Sequence, residues 1–383
     1  MTAAGLRAVV RLLARSLPRL ARPRDRDWAE VMALESEHIA PDGAALRFVL
    51  GCAGSLGRRR IIGWVGEESG MSNGLARLGL VCGTAAMAVG LMLMALEGAP
   101  SSYLAVNALT GVVALLAFPV FVRLLGFLCR WPARSAAALA ALLLATALLG
   151  TSLDGVTRWV RLGPVSLQVS FLALPILIGL AARLDAARAA PAVVLAAFAL
   201  ALQPDRAMAA ALLAAVAVIA ARRFDRGWTA LLGVCALGFG AAMLRQDPMP
   251  ALPFVDQLIP FAIAAHGWLG AAVAAAMLIT LLPFLLGLRA AEGARGTVAV
   301  LGAWWSAVTL AAVLGNYPSP FVGFGASPIL GYALSFAFLS ATMRRVATSG
   351  TETLRATESG PAGISRFVSR LRVRSPATLD RAA

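Results

Sequence analysis

Long apolar runs separated by short polar breaks make up the chain from about residue 77 onward. Ten runs can be delimited, at about 78–97, 103–128, 135–151, 167–184, 190–203, 206–222, 227–244, 258–288, 297–315 and 327–343. A helix needs roughly twenty apolar residues to cross a bilayer, so the pattern predicts an all-α, polytopic helical membrane protein with about ten transmembrane helices. The run at 258–288 is too long for one upright span. There, Pro260, His266 and Gly267 predict a membrane-entry segment before a helix that starts near Trp268.

The two ends of the chain break this pattern. Arginines recur every four residues from Arg7 to Arg19, between apolar residues, which predicts a basic amphipathic helix suited to lying on anionic lipid. After Arg344 the chain is rich in Ser, Thr, Gly and Ala, which predicts disorder. The predicted domains are a basic, amphipathic cytoplasmic extension at 1–75, a ten-helix membrane domain at 76–345 and a disordered basic cytoplasmic tail at 346–383.

Composition agrees with a membrane protein, and charge predicts its orientation. Hydrophobic residues make up 60% of the chain and charged residues 14%, with a net charge of +15, which is far more apolar than a soluble domain. Arginine clusters lie at every second connection between the predicted spans, on the same side of the membrane as both termini. They are Arg130 and Arg134, Arg183 and Arg188, Arg222 to Arg226, and Arg289 and Arg295. The positive-inside rule then predicts cytoplasmic termini. This distribution argues against nucleic acid as the partner, and the four separated cysteines indicate neither a disulfide framework nor a zinc site.

Three polar segments interrupt the apolar body. They span residues 158–170, 202–205 and 318–328, and the predicted orientation puts all three on the outward side. Arg, Asp, Gln and Pro persist between apolar spans only where water, substrate or other protein groups satisfy them. The segments therefore predict one shared outward hollow.

The first segment begins with Arg158-Trp159. Gly163-Pro164 predicts a turn at the outer membrane interface. Trp159 is expected to anchor the segment at that interface, and Arg158 is expected to pair with phosphate. A structural re-entry turn with an interfacial Trp accounts for the same residues, so both interpretations stay open.

The second segment is Gln203-Pro204-Asp205. Proline has no N–H and suits a broken helix end, and a carboxylate at this depth needs water or partners. Asp205 is therefore a candidate substrate-binding residue. The alternative is that Asp205 pairs with Arg206 at the start of a helix.

The third segment is rich in Gly, Ser and Pro. Small residues let the backbone approach another backbone or a ligand closely, which is compatible with a ligand-binding loop. A loop that only packs helices together would use the same residue types.

Together the three segments resemble the signature segments of the SEDS family (shape, elongation, division and sporulation), which includes FtsW-, RodA- and SpoVE-like proteins of bacterial cell-wall synthesis. The matching residues are Gly155, Arg158, Trp159, Leu162, Gly163, Pro164, Gln168, Ser170, Gln203, Pro204, Asp205, Ala209, Pro318, Pro320, Phe321, Val322, Gly325 and Ser327. The resemblance covers about residues 76–345. It implies ten spans and an outward substrate groove. It also implies that the substrate-binding residues are Arg158, Trp159, Gln168, Ser170, Asp205, Pro320 and Ser327.

The resemblance also implies a catalytic residue. Asp256 lies eleven residues before Gly267-Trp268-Leu269-Gly270, the interval at which family members carry an outward-facing Asp before the eighth span. The family's chemistry makes Asp256 a general base that takes the proton from an acceptor sugar hydroxyl. The alternative is an interfacial Asp that caps a helix.

The chain departs from the family on the predicted outward face. The family's Glu and Lys after the first segment fall on Phe171 and Leu174, and its acidic pair before the eighth span falls on Ala265 and His266. The outward loop that holds Asp256 is also short. Such losses are typical of an altered substrate or of lost catalysis.

The leading hypothesis is a divergent SEDS protein of the bacterial inner (cytoplasmic) membrane that acts in peptidoglycan synthesis during division or elongation. As an enzyme it would polymerise lipid II, an undecaprenyl-pyrophosphate-linked substrate, by glycosyl transfer. The resemblance further implies a penicillin-binding transpeptidase partner and a divalent cation at the pyrophosphate, although the sequence shows no metal site. Two alternatives stay open: a non-catalytic membrane scaffold of the division or elongation machinery, and a transporter of a lipid-linked precursor.

Overall fold

The protein is a helical bundle with one small sheet. The computed structural model describes residues 3–21, 25–66, 71–153, 155–163, 165–245, 250–289 and 292–358. The helices, numbered in chain order, are α1 Ala3–Leu20, α2 Arg26–His38, α3 Asp42–Gly66, α4 Met71–Leu96, α5 Ser101–Leu116, α6 Phe118–Leu128, α7 Pro132–Leu149, α8 Val169–Ala181, α9 Ala186–Leu202, α10 Arg206–Arg223, α11 Arg226–Leu244, α12 Leu258–Ala265, α13 Gly267–Ile279, α14 Leu282–Gly287, α15 Glu292–Leu314 and α16 Ala326–Glu358. The strands are β1 Thr151–Leu153, β2 Val156–Leu162 and β3 Val165–Gln168.

The first three helices pack around a small core of their own. Val10 and Leu17 of α1 are buried together with Ala29 of α2 and Val49 of α3. Part of the apolar stripe of α1 therefore packs on α2 and α3, which offer it an apolar surface of the same chain. Val9 and Leu12 of the stripe stay exposed, at 39% and 71%, so contact of α1 with lipid stays a prediction.

The membrane body follows the predicted runs. Among the described residues, six helices are long and apolar enough to cross a membrane, and the bent pair α5–α6 makes a seventh. The other three runs correspond to α8 and α9, which are shorter apolar helices, and to α10, which carries Arg206, Arg222 and Arg223. The prediction of an all-α polytopic membrane protein is thus confirmed.

Two predicted runs are broken in the structure. The run at 103–128 bends by 62° between α5 and α6, because Pro119 in the first turn of α6 cannot donate a hydrogen bond to the preceding helix. The run at 258–288 divides into α12, α13 and α14. As expected from Pro260 and His266, the short α12 precedes a longer helix, which begins at Gly267.

A three-stranded antiparallel sheet, which the sequence analysis did not predict, connects α7 to α8. Trp159 of β2 pairs with Gln168 of β3, and Gly163 lies between these strands with a φ of 60°. A glycine adopts that left-handed conformation without strain, which suits a turn at Gly163; Pro164, the other residue of the predicted turn, lies outside the described residues. The strands carry most of the first polar segment and pack it against α7, α8 and α16.

Helices cross both predicted domain boundaries. Helix α4 begins at Met71, so the boundary predicted at residue 75 falls inside it. Helix α16 continues to Glu358, past the boundary predicted at residue 345, because no proline interrupts the chain between Pro328 and Pro361. The rest of the predicted disordered tail, 359–383, lies outside the described residues.

Candidate functional site

Arg158 on β2 joins the first polar segment to the second. Its side chain is buried, at 5% exposure. Its Nε donates to the carbonyl of Gln203 at 3.1 Å and its Nη2 to the carbonyl of Pro204 at 2.7 Å. These carbonyls belong to the end of α9, where the helix leaves its last acceptors without intrahelical donors. Arg158 therefore stabilises the chain break between α9 and α10, which supports the structural interpretation of this residue.

A buried polar cluster lies behind Arg158. It consists of Gln168, Ser170, Asp205 and Tyr317, all of which are at most 6% exposed. Gln168 donates from Nε2 to Asp205 Oδ2 at 3.0 Å and to the Tyr317 hydroxyl at 3.1 Å, and the Ser170 hydroxyl lies 3.4 Å from Asp205 Oδ2. Burial and the Asp205 carboxylate raise the pKa of Tyr317 well above its usual range, so its hydroxyl stays protonated.

Asp205 also starts α10. Its Oδ1 accepts the backbone N–H of Met208 at 3.2 Å, as an N-cap residue does. Arg206 does not pair with it; the Arg206 guanidinium donates instead to the carbonyls of Ala242 and Arg245. The alternative interpretation is thus right that Asp205 lies at the start of a helix, and wrong that it pairs with Arg206.

The third polar segment is anchored to several elements. The Ser327 hydroxyl accepts the backbone N–H of Gln168 at 2.7 Å. Asn107 of α5, which is fully buried, donates to the carbonyl of Gly323 at 2.9 Å and accepts the N–H of Gly325 at 3.0 Å. Phe324 stacks on Tyr103 with ring centroids 3.8 Å apart. These contacts hold the segment against β3 and α5.

Asp256 lies on the segment that connects α11 to α12. The segment runs alongside the third polar segment, with Asp256 bridged to Pro318 and the N–H of Ser319 donating to the Val255 carbonyl at 2.9 Å. The carboxylate of Asp256 accepts the N–H of Leu252 at 2.9 Å. Helix α12 starts after Gln257 and has no side-chain cap, so the structure gives no support to the alternative that Asp256 caps this helix.

One cavity of about 230 Å³ lies between the first polar segment, the third polar segment and the segment that holds Asp256. No residue of the second segment, 202–205, lines it, so the prediction of one hollow shared by all three segments is wrong for the second. Five of the candidate residues line it: Arg158, Trp159, Gln168, Asp256 and Ser327. Ser170 and Asp205 lie behind this lining, in the polar cluster, and Pro320 is buried in the third segment. Trp159, Phe171, Tyr317 and Phe324 give the cavity an aromatic wall. The arrangement offers a carboxylate and a guanidinium beside flat apolar faces, which suits a ligand with both hydroxyl groups and apolar surface.

The positions that depart from the family have an apolar or exposed environment. Phe171 and Leu174 are both fully buried. Phe171 forms an aromatic cluster with Trp304 and Trp305, its ring centroid lying 6.1 and 6.3 Å from theirs. His266 lies outside the cavity, where its Nε2 is 4.0 Å from a Glu97 carboxylate oxygen and 57% of the side chain is exposed.

Among the described residues, Asp256 is the only carboxylate that lines the cavity, so these residues alone do not form a metal site there. Within the described part of the chain, no three His, Cys, Asp or Glu side chains cluster as metal ligands would. A divalent cation there would depend on substrate phosphates for most of its ligands.

Sequence reasoning missed two residues that organise the site. Asn107 holds the third segment from a helix 216 residues earlier in sequence; the available signal was a lone amide in the apolar run at 103–128. Tyr317 both lines the cavity and joins the polar cluster. It directly precedes the third segment, but a tyrosine beside a Pro-rich loop carries no pattern of its own.

Comparison with known proteins places the fold. No family model matches the chain, and no curated protein matches it in sequence. The crystal structure of the rod shape determining protein RodA of Thermus thermophilus is similar with a TM-score of 0.53 and 20% identity, over 70% of this chain and 96% of RodA. An Asp-to-Ala mutant of the same RodA is similar with a TM-score of 0.53, 21% identity and the same coverage. The resemblance to the SEDS family is thus confirmed at the level of the fold, which is RodA-like.

Proposed function

We propose that this chain is a divergent SEDS-type protein of the bacterial inner membrane that acts in peptidoglycan synthesis, in division or elongation, and polymerises lipid II with Asp256 as the general base. The observation that carries the proposal is the shared cavity, in which Asp256 and Arg158 line one hollow with Trp159, Gln168 and Ser327. The RodA-like fold supports the same assignment. A penicillin-binding transpeptidase partner belongs to this proposal.

The proposed step needs little machinery. Asp256 accepts the proton of the acceptor sugar hydroxyl as the oxygen attacks the anomeric carbon of the lipid-linked donor. The glycosidic bond forms while the bond to the pyrophosphate oxygen breaks, so undecaprenyl pyrophosphate leaves as an anion. A positioned base contributes roughly 10²–10⁴-fold to such a reaction.

Asp256 and Arg158 have different surroundings, which give them different roles in the proposed reaction. The Leu252 N–H holds the Asp256 carboxylate at the cavity wall, which orients it before substrate arrives. Arg158 gives two guanidinium donors to backbone carbonyls. Its contribution to binding the phosphates is therefore its positive charge at the cavity wall, rather than a bidentate clamp made with those donors.

A polymerisation assay with purified full-length protein and labelled lipid II tests the role of Asp256. We expect Asp256→Asn to lower the rate at least about 10²-fold, with an unchanged melting temperature, because the amide oxygen still accepts the Leu252 N–H. Asp225→Asn, an exposed helix cap far from the cavity lining, is the matched control. An active Asp256→Asn protein would contradict the proposal.

A non-catalytic scaffold is the second candidate. The buried aromatic cluster at Phe171 favours it, because the family's Glu and Lys cannot be replaced functionally by Phe171 and Leu174. Equal inactivity of wild type and Asp256→Asn, in an assay where a transpeptidase-assisted positive control works, would select the scaffold.

A further inference from the structure

A second pocket lies at the far end of α10 from Asp205. It has a volume of about 210 Å³ and is lined by Ala182, Ile219, Arg222, Arg223, Gly296 and Val300; we call it the arginine pocket. The ends of α8 and α10 and the beginning of α15 form its walls. The predicted orientation puts this end of the bundle on the cytoplasmic side, at the level of the lipid headgroups.

The two arginines of the pocket differ in their contacts. Arg223 donates from Nη2 to the carbonyl of Ala182 at 2.6 Å, and its guanidinium lies 6.0 Å from the centre of the Trp228 ring. Arg222, in contrast, makes no hydrogen bond or ion pair within the described part of the chain. The Arg223 guanidinium thus satisfies a carbonyl at the end of α8, whereas the donors of Arg222 are available to a ligand.

Gly296 leaves room beside Arg222. A Cβ placed on Gly296 would lie 3.7 Å from Arg222 Nε and 3.9 Å from its Nη2. Any longer side chain at this position of α15 would project into the space next to the guanidinium. The glycine therefore keeps the pocket open where the unpaired donors are.

Two acidic residues at neighbouring helix starts are already engaged. Asp185 accepts the N–H of Arg188 and lies 3.4 Å from the Arg188 guanidinium. Asp225 accepts the N–H of Gly227 at 3.2 Å. Neither of these carboxylates pairs with Arg222 or Arg223, and the described residues that line the pocket include two arginines and no carboxylate.

We propose that the arginine pocket binds a phosphate group, either that of an anionic phospholipid headgroup or a free phosphate from the cytosol. Arg222 and Arg223 present the planar donors that match phosphate oxygens. The volume is below the ~300–1,000 Å³ of pockets that enclose a whole small molecule, which fits one anionic group with its remainder outside. This site is separate from the outward cavity and does not depend on the proposed polymerase activity.

Binding is tested on the full-length protein in detergent, by native mass spectrometry with phosphatidylglycerol or phosphatidylcholine and by calorimetry with inorganic phosphate. We expect wild type to bind phosphatidylglycerol more tightly than phosphatidylcholine, or to bind inorganic phosphate. Arg222→Gln should weaken this binding about tenfold, the loss of a charge-assisted hydrogen bond. Gly296→Leu should weaken it too, although it keeps both arginines.

Arg226→Gln is the matched control, because it removes the same charge from a nearby exposed residue that does not line the pocket. Selective binding of phosphatidylglycerol identifies a headgroup, and binding of inorganic phosphate identifies a free anion; each supports the site if the Arg222 and Gly296 variants lose it. The proposal is overturned if wild type binds neither probe, if Arg226→Gln weakens binding as much as Arg222→Gln, or if Arg222→Gln has no effect while its melting temperature is unchanged.

Discussion

The polar cluster and the aromatic cluster meet at the start of α8 and stabilise the same helix in opposite ways. Gln168 and Ser170 lie one to three residues from Phe171, yet the first two share Asp205 as a hydrogen-bond acceptor while Phe171 packs on Trp304 and Trp305. A buried polar residue is tolerated when its donors and acceptors find partners. A charged pair, such as the family's Glu and Lys at the positions of Phe171 and Leu174, can be replaced by apolar residues when both members of the pair are replaced.

The largest effect is expected from putting one charge back into the aromatic cluster. Phe171→Glu puts a carboxylate against the rings of Trp304 and Trp305, and we expect a loss of about 3–5 kcal/mol of unfolding free energy. The measurement is the yield and melting temperature of the monodisperse detergent-solubilised protein.

Adding Leu174→Lys sharpens this test, because residues three apart on a helix lie on the same face. The double variant should recover part of the lost stability, whereas Phe171→Leu should cost less than Phe171→Glu. Normal stability of Phe171→Glu alone would mean that this part of α8 is reached by water, against its full burial.

A smaller loss is expected from removing the centre of the polar cluster. Asp205→Ala leaves the Gln168 amide, the Ser170 hydroxyl and the Met208 N–H with a lost acceptor, and we expect about 3 kcal/mol of destabilisation. Asp225→Ala removes an exposed cap of another helix and should cost only about 1 kcal/mol. Equal melting temperatures of the two variants would show that the buried contacts of Asp205 add nothing to a simple cap.

The smallest loss of stability is expected from a substitution that tests how closely α16 approaches α8. A Cβ on Gly331 would lie 2.2 Å from the carbonyl oxygen of Phe171, so Gly331→Ala must push the helices apart, at about 1–3 kcal/mol. Gly233 in α11 has nothing within 4 Å of such a Cβ, and Gly233→Ala should leave stability unchanged or raise it by up to about 1 kcal/mol. Thermal unfolding of the two variants side by side measures the difference; a Gly331→Ala protein as stable as Gly233→Ala would contradict the close approach.

Much of the candidate site could be predicted because polar residues stand out in an apolar chain. Arg158, Trp159, Gln168, Asp256 and Ser327 line one cavity although they come from three separate parts of the sequence. The depth of each residue could not be predicted. The sequence analysis made Asp205 a candidate for the cavity wall, but Asp205 does not line the cavity. Gln168 and Tyr317 line it instead; they are hydrogen-bonded to each other, and Gln168 is hydrogen-bonded to Asp205 behind them.

The sequence by itself determined the helical class, the apolar runs and the segments that must leave the lipid, because hydropathy is a local property of the chain. Tertiary structure decided which partner satisfies each polar group. Arg158 reaches carbonyls 45 and 46 residues away and Asn107 reaches one 216 residues away. It also decided that α1 packs Val10 and Leu17 on α2 and α3 while Val9 and Leu12 stay exposed. A donor or an apolar face specifies the kind of surface it needs, and only the folded chain specifies where that surface is.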